Sequence, residues 1–343
     1  MTPSGAYIFG CSGPDLSQAE RVFFKTAQPW GFILFARNIE TPEQVGRLTR
    51  DLRAAVGWHA PVLVDQEGGR VQRLTPPHWS QFLPPMEQIA RSGPDRAARA
   101  LFVRMRLIAD DLFGIGIDVN CAPMADIASS ATHPFLRNRC YGSDPVQVAV
   151  NARSAAQGLL AGGVLPVLKH IPGHGRASVD SHLETPVVEG DLVALAPDFA
   201  PFAALADLPL AMTGHLVFPA LDPGVPATSS PVIIGMIRKM IGFDGLLMTD
   251  DISMQALTGS VAERSVASLE AGCDIVLHCN GVMSEMQQIA GACGSLAGSG
   301  AERAQRALAH RMAPEPMDRP ALEAELAALI GMALDGAAVN GAS

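Results

Sequence analysis

Charged and imidazole side chains cluster in a few short stretches of this 343-residue sequence. Asp65 and Glu67 precede a Gly68–Gly69 pair, with Arg70 and Arg73 just beyond. Lys169 and His170 run into Pro172–Gly173–His174–Gly175, and Asp180, Ser181 and His182 follow. Asp118, Asn120, Asp126 and Arg139 form a looser group. His215 stands alone, Thr249, Asp250 and Asp251 are consecutive, and His278 and Asn280 come last. Taken singly, each has an ordinary structural reading. An Asp at a strand end caps the next helix, a lysine pairs with a neighbouring acid, and a Gly pair marks a tight turn. What calls for more is that cations, acids and imidazoles recur together at the ends of apolar runs.

Guanidinium forks and carboxylates suit a substrate rich in hydroxyls or carrying an amide, because they fix such groups by directed hydrogen bonds. Asp250, at the end of an apolar run, has the type and setting of a carboxylate nucleophile. Asp180, two residues before His182, can orient that imidazole and stabilise its protonated form, a pair suited to general acid/base work near neutral pH. An Asp nucleophile with a separate proton donor is the logic of retaining glycoside hydrolysis. A zinc site drawn from His170, His174, His182 and His215 is the weaker reading. The His170–His174 spacing spans Ile–Pro–Gly, which breaks a helix, and no Glu follows His170 as HExxH requires. No metal and no cofactor are expected.

These side chains need a frame that gathers the ends of distant segments. Eight short β-rich apolar runs recur: AYIFG (from Ala6), GFILFA (Gly31), PVLVDQ (Pro61), IDVNCAP (Ile117), LPVLKHI (Leu165), LPLAMTGH (Leu208), GLLMTDD (Gly245) and CDIVLHC (Cys273). Between them lie segments with helical spacing, such as TPEQVGRLTRDLRAAV and DPVQVAVNARSAAQGLLAGG, which open on Thr or Asp and often close on Gly. Near-continuous apolar strands fit a parallel sheet buried on both faces. Eight of them alternating with helices predict an α/β fold, a single (β/α)8 TIM-type barrel. A doubly wound sheet would announce a GxGxxG or GxxxxGK[ST] loop, and neither occurs. Without repeats or a composition break, one catalytic domain is expected over residues 1–343. The tail after about Ala301 reads as two amphipathic helices, with the last eight or so residues frayed.

Composition narrows the class. Twenty-five Lys+Arg against 34 Asp+Glu leave a net charge of −9, and no basic block exists, which argues against a nucleic-acid partner. No apolar run approaches the roughly 18 residues of a membrane span, and no secretory leader is visible. The six cysteines are scattered without a CxxC pair and read as buried thiols. The expectation is a monomeric cytoplasmic enzyme acting on a small molecule, with neither nucleic acid nor membrane as partner.

VDQEGGRVQRL (from Val64), KHIPGHGRASVDSH (Lys169), MTGHLVFPALD (Met212) and MTDDISM (Met248) resemble, in order, the signature segments of family 3 glycoside hydrolases. More narrowly they resemble its bacterial beta-N-acetylhexosaminidases of cell-wall recycling, the KH…PGHG…DSH segment being the most specific. The resemblance implies Asp250 as nucleophile, His182 as acid/base and Asp180 as its partner. It implies that Asp65, Arg73, Arg139, Lys169 and His170 hold an N-acetylglucosamine ring. The expected substrate is an N-acetylglucosaminyl-1,6-anhydro-muropeptide, cleaved by double displacement. Ile171, Leu74 and Ile252 depart from the commoner letters as apolar swaps expected behind the site, and Cys140 stands where a small polar residue is usual. Gly173 and Gly175 suggest a loop that closes over the sugar. Any local gathering of an anionic substrate would fall to Arg73, Arg139 and Lys169. Two alternatives use the same residues: a phosphorylase, with phosphate replacing water, and a muropeptide sensor without turnover, against which the intact Asp250, Asp180 and His182 argue.

Overall fold

The computed structural model describes residues 4–177 and 185–334. Eight parallel strands close into a barrel in sequence order. They are β1 (Gly5–Gly10), β2 (Pro29–Leu34), β3 (Val62–Val64), β4 (Val119–Asn120), β5 (Leu165–Ile171), β6 (Leu210–Thr213), β7 (Leu246–Asp251) and β8 (Ile275–His278). Each grows from one of the eight apolar runs, and β1 pairs with β8 to complete the ring. The intervening helices start and stop where local chemistry dictates. Ser17 and Glu20 form a reciprocal cap on Gln18–Ala27, and Thr41 caps Pro42–Val56, which ends at Gly57 with φ 75°. Gly298–Ala309 and Arg319–Ile330 are the two expected C-terminal helices.

The period of two along each strand sorts its side chains into two cores. Ile8, Ile33, Leu63, Val119, Leu165, Val167, Leu210, Met212, Leu246, Met248, Ile275 and Leu277 belong to one apolar cluster, which fills the barrel and is plugged below by Leu296, Ala304 and Ala307. The alternate residues, among them Phe9, Phe32, Leu34, Val62, Val64, Leu168, Leu247 and Val276, join the larger cluster between strands and helices. Leu74, Ile171 and Ile252 are fully buried in that outer cluster and pack behind the barrel's mouth rather than lining it. All six cysteines are free thiols, five of them buried. No described helix is long and apolar enough to cross a membrane.

One sequence expectation is corrected by strand polarity. Asp118 was grouped with the residues at strand ends, yet it precedes β4 and sits at the opposite, N-terminal end of the barrel. There it accepts the Val62 N–H at 2.8 Å and pairs with Arg311 at 2.7 Å and Arg53 at 3.2 Å. It therefore ties the barrel's base to the helical shell. Asp118→Asn leaves two half-buried guanidiniums without that charge and should cost about 3 kcal/mol. The check is a lower urea midpoint at unchanged denaturant slope.

Candidate active site

Strand parity continues past the apolar layers into charge. Asp65 follows Leu63, Lys169 follows Leu165 and Val167, and Asp250 follows Leu246 and Met248, each two residues on. All three therefore rise into the C-terminal mouth, where barrel enzymes assemble their chemistry. With Arg73, Arg139 and His170 they line a cavity of about 280 Å³ that also includes Phe35, Arg37, Phe135, His174, Met254 and Asn280. That is the small end of the range for ligand sites. By parity His170 should point away, but the pairing of β5 with β6 shifts register between Lys169 and Ile171, and His170 joins the wall.

Glu67, which the sequence places in the acidic cluster without a role of its own, sits at the centre of the site. It is about 1% exposed and receives both arms of the Arg139 fork, at 2.9 and 2.8 Å, and the Lys169 ammonium at 2.6 Å. Lys169 also donates to Asp65 at 2.8 Å, and Arg73 stands 3.8 Å from the other Asp65 oxygen. Burial opposes the charged form of all three central groups, but their attraction outweighs it. Glu67 is held well below the usual carboxylate range, while Lys169 and Arg139 are pushed above their ordinary values. The turn that delivers Glu67 requires glycine. Gly68 has φ 100°, and a Cβ there would lie 1.8 Å from the Arg104 guanidinium, which donates to the Glu67 carbonyl and, at 2.7 Å, to Gln88. Lys169 and Arg139 are thus paired with acids, which leaves little free positive charge on them.

Asp126, fully buried, holds two histidines at once. One oxygen faces His170 Nδ1 at 2.7 Å and the other accepts the His174 N–H at 2.6 Å. The next residue, Gly175, packs so closely on the loop after β4 that a Cβ would meet the Ile127 carbonyl at 1.9 Å. Burial and the adjacent His170 push the His174 imidazole down to about 3, so it is neutral. Arg139 lies over one side of the neighbourhood of Phe135, whose ring also carries Arg70 at 3.6 Å. Cys140 is buried, its thiol directed to the Leu136 carbonyl, and leaves Arg139 undisturbed.

The paired acids of β7 separate cleanly. Asp251 accepts from Ser253 N–H and Oγ and from Cys279 N–H, knitting loops together. Asp250 accepts the Asp251 N–H at 2.8 Å and lines the cavity. Burial would raise its carboxyl, but His170, His215, that N–H and Lys169 together hold it below the usual range. His215, a ligand candidate in the zinc reading, is spent on structure: Nε2 donates to the Asp251 carbonyl at 3.0 Å and Nδ1 faces Thr228 at 2.8 Å. His278 faces outward and pairs with Glu285 at 2.7 Å, and Arg70 stays exposed over Phe135. No group of three metal-type ligands forms among the described residues. Asp180 and His182 lie outside the described residues.

Residues 13–310 match the family described as the Glycosyl hydrolase family 3 N terminal domain. A beta-hexosaminidase of Alkalilimnicola ehrlichii is 37% identical over 283 residues, covering 80% of this chain and 81% of that protein. One from Bordetella avium is 34% identical over 288 residues, 82% of each. Among solved structures, NagZ from Neisseria gonorrhoeae in complex with N-trifluoroacetyl-D-glucosamine superposes with a TM-score of 0.83 at 30% identity, over 96% of this chain and 98% of that one. The beta-N-acetylhexosaminidase from Beutenbergia cavernae gives 0.76 at 28% identity, over 89% and 96%.

Glu67→Gln, which leaves two buried cations short of a charge, should cost about 3–5 kcal/mol in urea unfolding. A cost below about 1 kcal/mol would remove Glu67 from the centre of the site. His174 adds a pH dependence of definite sign. Its folded value of about 3 lies below the ordinary 6.5, so its stability is full above pH 6.5. It is lost as the pH falls toward 3, because the unfolded chain takes the proton first, at up to about 1.4 kcal/mol per pH unit. His174→Gln should therefore narrow the stability difference between pH 7 and pH 5 by about 2 kcal/mol.

Proposed function

The chain belongs to glycosyl hydrolase family 3, and from that premise we propose that it is a retaining beta-N-acetylhexosaminidase acting on N-acetylglucosaminyl-1,6-anhydro-muropeptides in peptidoglycan recycling. The observation that carries the reading is the Asp250 carboxylate, kept ionised in a cavity of about 280 Å³ fenced by fixed donors and acceptors. The whole chain acts as one catalytic barrel.

In the first step a carboxylate oxygen of Asp250 bonds to the anomeric carbon of the terminal sugar. The bond to the aglycone oxygen breaks, and that oxygen takes a proton from His182, which Asp180 orients. In the second step water gives its proton to His182, its oxygen bonds to the anomeric carbon, and the Asp250 carboxylate is released. Asp65, Arg73, Arg139, Lys169 and His170 hold the ring. The paired acids and cations among them offer both hydrogen-bond acceptors and donors to hydroxyls that are themselves both. The sugar derivative bound in the gonococcal relative belongs to the substrate class proposed here.

The test is release of p-nitrophenol from its beta-N-acetylglucosaminide at neutral pH. Asp250→Ala should fall to background. His182→Ala should lose about 10²- to 10⁴-fold on substrates with poor leaving groups and less on the nitrophenyl substrate, whose departure needs no proton. An Asp250→Ala variant that keeps its rate sinks the nucleophile assignment. Acceleration by phosphate, with a sugar phosphate as product, would replace the hydrolase by a phosphorylase.

A further inference from the structure

His174 lines the same cavity and has no part in the chemistry assigned so far. It is about 7% exposed, and neither ring nitrogen has a hydrogen-bond partner among the described residues. Its backbone N–H, by contrast, is bound to Asp126 at 2.6 Å, so the residue is anchored through its main chain while its imidazole is left over. The ring meets that of His170 edge-on, with centroids 5.4 Å apart, which fixes its orientation without using either nitrogen. A buried polar group without a partner carries a standing cost, and the native positions that bear one call for an explanation. Packing offers none, because a phenyl ring would fill the same volume without that cost.

We propose that His174 is a sugar-binding residue, its imidazole exchanging a hydrogen bond with an uncharged polar group of the bound N-acetylglucosamine, either a hydroxyl or the acetamido group. The inference rests on the hydrolase reading and extends it to a sixth side chain of the sugar subsite. The preference for an uncharged partner follows from the ring itself. Burial and His170 keep the imidazole neutral, so it has one donor and one acceptor, which hydroxyls and amides match and carboxylates or phosphates match only in part. The other cavity-lining groups that hold the ring are charged or bound to a carboxylate: Lys169 to Asp65 and Glu67, Arg139 to Glu67, His170 to Asp126. His174 is thus the neutral contact in a charged fence, and an alcohol or amide loses little by leaving water for it.

The test compares wild type, His174→Phe and His174→Gln on the p-nitrophenyl β-glycosides of N-acetylglucosamine and of glucose, together with calorimetric binding of free N-acetylglucosamine. His174→Phe should lose about tenfold to a hundredfold in kcat/KM on the first substrate, and free N-acetylglucosamine should bind more weakly by a similar factor. His174→Gln, which restores a donor and an acceptor, should recover a large part of both. A loss confined to the N-acetyl substrate assigns the contact to the acetamido group, and an equal loss on both assigns it to a hydroxyl. If His174→Phe stays within about twofold of wild type in turnover and binding, the inference is overturned. The same holds if phenylalanine and glutamine lose equally, since a ring that only packs gains nothing from restored polarity. Wild type without turnover would overturn the hydrolase reading instead, and the binding comparison would still decide the role of His174.

Discussion

One buried carboxylate organises the mouth of this barrel. Glu67 neutralises Arg139 and Lys169 at once, and through Lys169 it is linked to Asp65. Taking any of these charges out of water alone would cost several kcal/mol, so the three are present together or not at all. The consequence for recognition is that two strong cations become fixed hydrogen-bond donors rather than free positive charge. A site built in this way is suited to a neutral ring held by geometry. It has little to offer an anion arriving on charge alone, and the chain's net −9 works in the same direction.

The apolar layers beneath set where those charges can be. Below the mouth, inward positions are Leu63, Val167 and Met248, and two residues later the same faces present Asp65, Lys169 and Asp250. The barrel thus converts a period-two pattern into a ring of functional groups with no loop needed to aim them. A site carried on strands is held more rigidly than one carried on loops, and a nucleophile gains from that fixity. The loops add what strands cannot. The Gly68 turn brings Glu67 underneath the cations, and the Asp126 segment clasps the main chain after β5.

Much of this is legible in the sequence. The eight apolar runs map onto eight strands, and Asp65, Lys169, His170, Asp250, Arg73 and Arg139 meet around one cavity. What was not legible has physical reasons. Asp118 looks like a strand-end acid, but side-chain type does not reveal which end of β4 it occupies; strand polarity does, and there it serves the barrel's base. His215 and His278 look available until their partners are seen, the Asp251 carbonyl and Glu285. Glu67 stood in the same cluster without a role, because its partners Arg139 and Lys169 lie far along the chain and meet it only in the folded mouth. Parity alone would have excluded His170, and only the register shift beside it restores it.

A double displacement needs one group held ionised and another able to carry a proton near neutrality, with environments that push the two apart. Asp250 meets the first demand. For the second, the described walls offer few candidates. Lys169 and Arg139 are kept charged by their carboxylates, and His174 is too deeply buried to take a proton until about pH 3. His170 has an imidazole and a carboxylate partner, which is the right chemistry, but it stands in the wrong place. It is the strongest electrostatic support of the Asp250 carboxylate, hence beside the proposed nucleophile, whereas a proton donor must reach the departing oxygen on the opposite side of the anomeric carbon. The proposed acid/base, His182 with Asp180, therefore comes from the sequence between Ala177 and Thr185, outside the described residues. On the proposed mechanism the labour divides between the barrel, which keeps a charge at Asp250, and His182, which would move the proton.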